Sequence, residues 1–558
     1  MAPHQQTLRD RQVVLYLLEP TAANLSLVNA DLSKSLYADA YINFLSSIPR
    51  PLMEDFAAQI AEAGTAESVA QMYDQYLNFI VGEPDLFSLG MGKDTYWALN
   101  SAQATDEEID ALVDRTRPSS SSGTPSSRPV LVIVDRNVDL IPMLSHSWTY
   151  QSLVHDVLKM HLNRITMESF VDADNPSKGK IKRSYDLNAN DFFWARNAAI
   201  PFPQVAEDID MELTKYKDDA SEVTRKTGVS SIEDLNETGS SASLLKAAIT
   251  LLPELRERKA ILDMHVNIAS ALLEEIKDRQ LDNFFQIEEN ITKQTKAQML
   301  ELLDDAAKGK EPLDKLRLFI IWFLSTEQEV SRTEMDRFEE ALTRSGADIT
   351  ALVYVKRVRD ETRMTMMTSA PSAPTQQATD SNLFRGFSSL SNRLTDRLGA
   401  GALSSNFENL ISGVKNFLPA NKDITITKIV ESLMDPASAS SSAIAKTEDY
   451  LYFDPRSANA RGTMPGAPSS RQQGAPGGFA PGSNATFGQR RQGFSEAIVF
   501  TVGGGSMDEY GNLQDWAKRT SAVQGAGGPR RRIVYGSTEV VNAEDFVGVA
   551  ARLGRESG

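Results

Sequence analysis

The chain has 558 residues, 41% hydrophobic and 24% charged, a globular composition long enough for roughly two to four separate cores. Its net charge of −17 repels phosphate backbones and argues against nucleic acid as a partner, and the lack of cysteine removes disulfides and thiolate metal sites. No stretch approaches the ~20 apolar residues of a membrane span, and no basic segment leads into an apolar run at the amino terminus, so a cytoplasmic protein at most peripheral to membranes is expected.

In chain order, Val13 to Leu18 reads as a strand, followed by helical patterns over 25–36 and 37–45. Leu52, Met53, Phe56, Ala57 and Ile60 recur at helical spacing, and Val69, Met72, Tyr73 and Tyr76 predict a second helix beside the first, so that two apolar faces flank a groove. An α/β region opens near 76–81 and is interrupted by a Ser/Pro-rich linker over 118–129. The unbroken apolar run from Val130 to Val134 predicts a strand covered on both faces, with the segment from Trp148 to Met160 as its covering helix.

Strand signals vanish from about 203 to 359, where Ile209, Leu213, Tyr216, Ala220 and Val223, then Ile261, His265, Ile268, Leu272 and Ile276, recur every three or four residues and predict a helical domain. A Pro/Ser/Thr/Gln stretch over 368–380 precedes Leu383, Phe384, Phe387, Leu390, Leu394 and Leu398. These lie opposite a Ser-rich face carrying Arg385, Arg393 and Arg397, the pattern of an interfacial lipid-binding helix. Strands return at 451–453, 497–502 and 532–535, alternating with helical patterns at 513–517 and 543–553, which predicts a parallel sheet. Joining them to the Val130 strand makes one discontinuous α/β domain with the helical block inserted.

The motifs that carry chemistry are sparse. Gly503-Gly504-Gly505 sits between a strand and a helix, where amides can cradle phosphate, yet Asp508 and Glu509 follow it and the spacing of a nucleotide loop is absent; a tight turn is the favoured reading. The five histidines show no metal-binding spacing, so no metal or other cofactor is expected, and His265 on its apolar stripe reads as a core imidazole. Asp135, Arg136 and Asp139 read as a local salt-bridge group at a strand end rather than a catalytic set, since an adjacent Arg lowers a carboxyl pKa where a general base needs it raised. No catalytic residue is assigned.

Several segments together resemble the SM (Sec/Munc) family of syntaxin-binding SNARE regulators. They are Val130 to Gln151 (VLVIVDRNVDLIPMLSHSWTYQ), Asn190 to Trp194, the helix over 259–288 with His265, and Ile498 to Gly505. Tyr41 to Pro49, Tyr73 to Tyr76 with Glu83 to Leu89, and Thr224 to Gly228 look like its Sly branch, which acts between endoplasmic reticulum and Golgi. The resemblance implies an arch of α/β plus α class: a first α/β domain over 1–75, a discontinuous, mainly parallel α/β domain over 76–202 and 425–558, and a helical third domain over 203–424. It also implies that Met53, Phe56, Ala57, Val69 and Met72 take the amino-terminal peptide of the Golgi syntaxin, that the helical domain aligns that syntaxin's SNARE helix with other SNAREs, and that a loop over 368–403 restrains access and touches membrane. The implied protein is a non-enzymatic monomer, peripheral to ER and Golgi membranes, that promotes SNARE assembly. Family members carry further structure ahead of the segment matching Val13 to Leu18 and around 114–128, so a truncated first domain and partly open sheets are expected. A nucleotide-binding α/β enzyme using the 503–505 turn and a vesicle-tethering scaffold are the alternatives.

Overall fold

A computed structural model describes residues 13–35, 37–75, 77, 79–103, 129–170, 180–227, 242–369, 423–436, 438–447, 450–453, 461–463, 494–523 and 530–557. The interfacial pattern from Leu383 to Leu398 therefore lies outside the described residues, as do the 118–128 part of the linker and most of the 368–403 loop.

The first domain alternates strand and helix: β1 (Val14–Leu18), α1 (Ala22–Ser33), β2 (Ala40–Phe44), α2 (Arg50–Glu62) and β3 (Val69–Asp74). The three strands form a parallel sheet in the order β1-β2-β3. Two expected helices are thus strands. Ala40, Ile42 and Phe44 alternate inward with Tyr41 and Asn43, a period of two that a short window does not separate from a helix and that pairing on both sides of β2 decides. Thr21 caps α1 by accepting from the Asn24 amide, and Pro51 opens α2 where a missing N–H costs nothing. Both helices lie on one face, where Leu25, Val28, Leu32, Phe56 and Ile60 close over Ala40, Ile42 and Phe44. The other face stays open, with Leu15 71% and Leu17 59% exposed.

The larger sheet draws strands from both ends of the chain. Its order is β4 (Ile80–Glu83), β5 (Leu86–Ser88), β12 (Arg532–Ser537), β11 (Glu496–Val502) and β6 (Val130–Asp135), parallel throughout except for the β4–β5 hairpin. β9 (Leu451–Phe453) does not join it and pairs with β10 (Arg461–Thr463) instead. A hairpin of β7 (Arg164–Phe170) and β8 (Lys180–Asp186) went unpredicted, because its polar alternation carries no buried run. α3 (Thr95–Asn100) follows β5, and α4 (Tyr150–Val157) follows β6.

β6 is not covered on both faces. Val132 and Val134 are buried against α13 (Thr425–Met434), while Leu131 and Ile133 are 56% and 60% exposed. The α4 and α15 (Met507–Val523) layer packs on the same side of the sheet as α13, against Ala497, Val499, Ile533 and Tyr535, and the alternation of the strand turns Leu131 and Ile133 to the other side.

Among the described residues, the elements between β8 and β9 are helices: α5 (Phe192–Asn197), α6 (Phe202–Thr227), α7 (Ala242–Arg279), α8 (Leu281–Glu289), α9 (Lys296–Asp304), α10 (Pro312–Ser325), α11 (Arg332–Arg344), α12 (Thr350–Ser369), α13 and α14 (Ser441–Ala445). The helix expected to run through 259–288 breaks at Gln280, which is left-handed at φ 58°, and its side chain bonds Ala307 O and Gly309 N. Capping boxes Thr295/Gln298 and Ser331/Glu334 start α9 and α11. α10 is buried from Asp314 to Phe323 and is the axis of this block, with Phe319 and Trp322 packed on Phe338. The last helix, α16 (Ala543–Ser557), leaves the sheet and lies on α12, where Gly554 permits close approach: a Cβ there would sit 2.2 Å from Thr350 O.

At the end of β11, a Cβ on Gly505 would lie 2.4 Å from the Tyr535 hydroxyl and 2.8 Å from Ser537 Cβ. Gly505→Ala is expected to weaken the β11–β12 region by about 1–3 kcal/mol. Native-state hydrogen exchange of those amides checks it; unchanged exchange would show the turn is more yielding than its packing implies.

Candidate functional site: an apolar face on the first domain

Two of the five residues expected to hold a peptide, Val69 and Met72, lie not on a second helix facing α2 but on the edge strand β3. Its register shifts beside Ala40: Ala40 opposes Val69, while Tyr41 opposes Gln71 and Ile42 opposes Met72. Ala70 is the extra residue of a bulge, so Val69 and Met72, three apart, both point to the helix-covered face. Period two alone would have sent them to opposite sides. Both are half-buried against the cluster of Phe56 and Ile60, with Leu52 beside them.

On α2, Met53 and Ala57 are one turn apart and exposed, Met53 at 45%. Phe56, between them in sequence, is 1% exposed and belongs to the core beneath. The five residues therefore divide by burial: Met53 and Ala57 are exposed on α2, Val69 and Met72 are half-buried on β3, and Phe56 is buried in the core that those two share with Leu52 and Ile60. This corrects the sequence reading on two points: the second wall is a strand edge, and Phe56 is not free to be replaced by a charge without cost to the fold. Arg50 and Glu54 pair at 2.8 Å on the exposed side of the same helix.

The crevice at the carboxyl ends of the large sheet is the other place where an α/β fold binds ligands. Here its amides are taken. Gly503 and Gly504 donate to Thr538 Oγ1 at 3.2 and 3.0 Å, and Gly505 donates to Glu539 O at 2.8 Å. Arg136 reaches across and forks onto Glu509 with both bonds at 2.8 Å, the two side chains 2% and 1% exposed, while Tyr535 donates to the same carboxylate at 2.5 Å. Burial opposes the Arg136 charge, and Glu509 overcomes it and raises its pKa; burial, then Glu509, pushes the Tyr535 phenol well up. Arg136 thus meets Asp139 at the backbone carbonyl and forms its carboxylate pair with Glu509, 373 positions away, a partnership for which the sequence holds no local signal.

His265 is fully buried, within 2.9 Å of both the Tyr150 hydroxyl and Asp191 Oδ2, as a core imidazole would be. Among the described residues no group of three or more His, Asp or Glu is placed to hold a metal ion, and no helix is long and apolar enough to cross a membrane.

The comparisons with known proteins agree with this architecture. The model of the Sec1 family matches residues 4–119 and 96–548, and the chain belongs to that family. Protein sly1 of Schizosaccharomyces pombe is 44% identical over 583 residues, covering 97% of this chain and 86% of its own length. Protein SLY1 of Saccharomyces cerevisiae is 33% identical, covering 97% and 84%. Among solved structures, that of Sly1p in complex with an N-terminal peptide of Sed5p matches with a TM-score of 0.70 and 31% identity, over 98% of this chain and 86% of that one. The Unc18–syntaxin 1 complex from Monosiga brevicollis, 17% identical with a TM-score of 0.58 over 97% and 88%, shares the fold. The SM fold, with its discontinuous, mainly parallel α/β domain and its large helical insertion, is the fold of this chain.

The depth of Phe56 sets a stability test. Phe56→Ala is expected to destabilise the first domain by about 3–5 kcal/mol, seen as lost exchange protection in β2 and α2. Protection equal to wild type would mean that Phe56 is not part of the core.

Proposed function

We propose that this chain is a non-enzymatic SM protein that binds a Golgi syntaxin through the first-domain apolar face and promotes SNARE complex assembly in ER to Golgi transport. The observation that carries the reading is the likeness to Sly1p in a structure that holds a Sed5p amino-terminal peptide, together with an apolar ridge and wall at Met53, Ala57, Val69 and Met72. The occupied glycine turn supports this reading over a nucleotide enzyme, and the peptide-bound relative supports it over a tether without a syntaxin site.

The proposed chemistry is capture by burial. One aromatic or aliphatic anchor leaving water against Met53, Val69 and Met72 contributes roughly 1.5–3 kcal/mol, and Phe56 holds the floor rigid beneath it. The helical block over 203–424 is proposed as the platform on which SNARE helices align, lowering the entropic cost of assembly. The protein is proposed to act from the cytoplasm at ER and Golgi membranes.

Met53→Lys and Ala57→Lys both alter exposed positions. Each is expected to weaken a syntaxin amino-terminal peptide at least about tenfold in calorimetry, the equivalent of roughly 1.4 kcal/mol, with the thermal midpoint unchanged. Unchanged affinity would remove the pocket assignment.

The membrane role proposed for Leu383, Phe384, Phe387, Leu390, Leu394 and Leu398 rests on their sequence pattern. Deleting 368–403 is expected to reduce flotation with liposomes. Equal flotation would contradict it.

A further inference from the structure

The loop between β6 and α4 meets the helical block through a buried set of charges that the syntaxin reading does not use. His146 lies at its centre, 3% exposed. Its Nδ1 is 2.5 Å from Glu288 Oε1 on α8, its Nε2 is 3.2 Å from Asp314 Oδ1 on α10, and its backbone N–H donates to Glu288 Oε2 at 2.9 Å. The ring stacks on Phe284 at 4.9 Å, which fixes its plane. An ionised carboxylate only accepts hydrogen bonds, so each ring nitrogen makes its contact only if it carries a proton. Two carboxylates, one on each nitrogen, select the imidazolium.

The groups around it come from every element packed there. Arg279 at the end of α7 forks onto Asp314 at 2.7 and 2.9 Å. Arg317 on α10 reaches Asp314 at 3.3 Å, Asp156 on α4 at 2.9 Å, and the carbonyls of Leu144 and Ser145 at 2.8 and 2.9 Å. Ser147 donates to Asp508 at the start of α15. Beyond it, His155, Asp156 and Asp508 line a cavity of about 30 Å³ with Ser147, Ser152, Ser506 and Asn542, room for about one water molecule, and Asp545 on α16 acts on His155.

Counting His146, Arg279 and Arg317 against Glu288, Asp314 and Asp156 gives three charges of each sign when Asp508 is protonated. Burial, then Glu288 and Asp156, pushes the Asp508 carboxyl up to about 6. Burial and Arg317 pull His146 down, but Glu288 and Asp314 outweigh them and raise it above its ordinary value. Burial holds His155 neutral, down at about 4.

We propose that the loop after β6 is fastened to the helical block by a proton held on His146 between Glu288 and Asp314, so that sheet and block loosen from each other locally as pH rises. The sign follows from linkage. A histidine raised in the folded state stabilises fully below its unfolded value and loses that contribution as pH rises through the folded value. Asp508 works in the same direction: its raised carboxyl adds an uncompensated negative charge once pH passes about 6. Released, the cluster carries two surplus negative charges in a buried joint.

Hydrogen exchange of the full chain between about pH 6 and about pH 9, corrected for intrinsic rates, reads the joint directly. Peptides covering 141–147 and 281–293 are expected to open more with pH, by up to about tenfold per pH unit between about pH 6.5 and the folded His146 midpoint, the slope for release of one proton, and to level off above it. β2 and α2 are expected to stay level. His146→Gln, which donates to one carboxylate but not both, is expected to open more at low pH and to lose the slope. A wild-type profile flat with pH, or the same slope in His146→Gln, overturns the proposal. Should that variant fail to fold, the wild-type imidazole resonances decide: with five histidines in the chain, His146 is expected to titrate above about 6.5, and a ring neutral at about pH 6 overturns the idea.

Discussion

The fork of Arg136 onto Glu509 is the contact on which the larger domain depends, because it ties the loop after an early strand to the helix after a late one. β6 and β11 are neighbours in the sheet although most of the chain separates them, and that neighbourhood has to survive the helical insertion. A bidentate charge pair at about 1–2% exposure is costly to leave half-made, so it specifies which loops meet at the strand ends. It also has a chemical consequence. Arg136, Tyr535 and Thr538 take up the groups that an α/β enzyme would turn toward a ligand, and the crevice becomes an anchor for the fold.

Under the proposed reading, recognition takes place on the surface of the first domain and not in this crevice. In the first domain a single inserted residue, Ala70, turns a strand edge into an apolar wall by bringing Val69 and Met72 to one side. α2 contributes a core residue and two exposed ones, so in the proposed syntaxin site Phe56 would be the support and Met53 and Ala57 the contact residues.

Much of this was legible in the sequence where burial imposes a period. The stripes of α6 and α7 and the runs of β6, β11 and β12 were read correctly, and so was the joining of early and late strands. β2 and β3 were misread as helices because five or six residues support either period, and their parallel pairing is decided by a neighbouring strand. The bulge explains why Val69 and Met72 carried a helical spacing in an extended segment. The unbroken apolar run of β6 predicts cover on both faces, and the exposed Leu131 and Ile133 show that such a run marks a strand without fixing how each face is filled. Arg136 was recognised as an ion-pair residue with the wrong partner, and His146 was passed over altogether, since pairings at a distance of 142 to 373 residues leave no mark on local sequence.

The most direct test of the account maps where a syntaxin amino-terminal peptide lands. Hydrogen exchange with and without that peptide is expected to protect 50–62 and 69–74 while leaving 503–509 unchanged. Protection centred on the glycine turn, or none in the first domain, would contradict a protein that works through this ridge and wall.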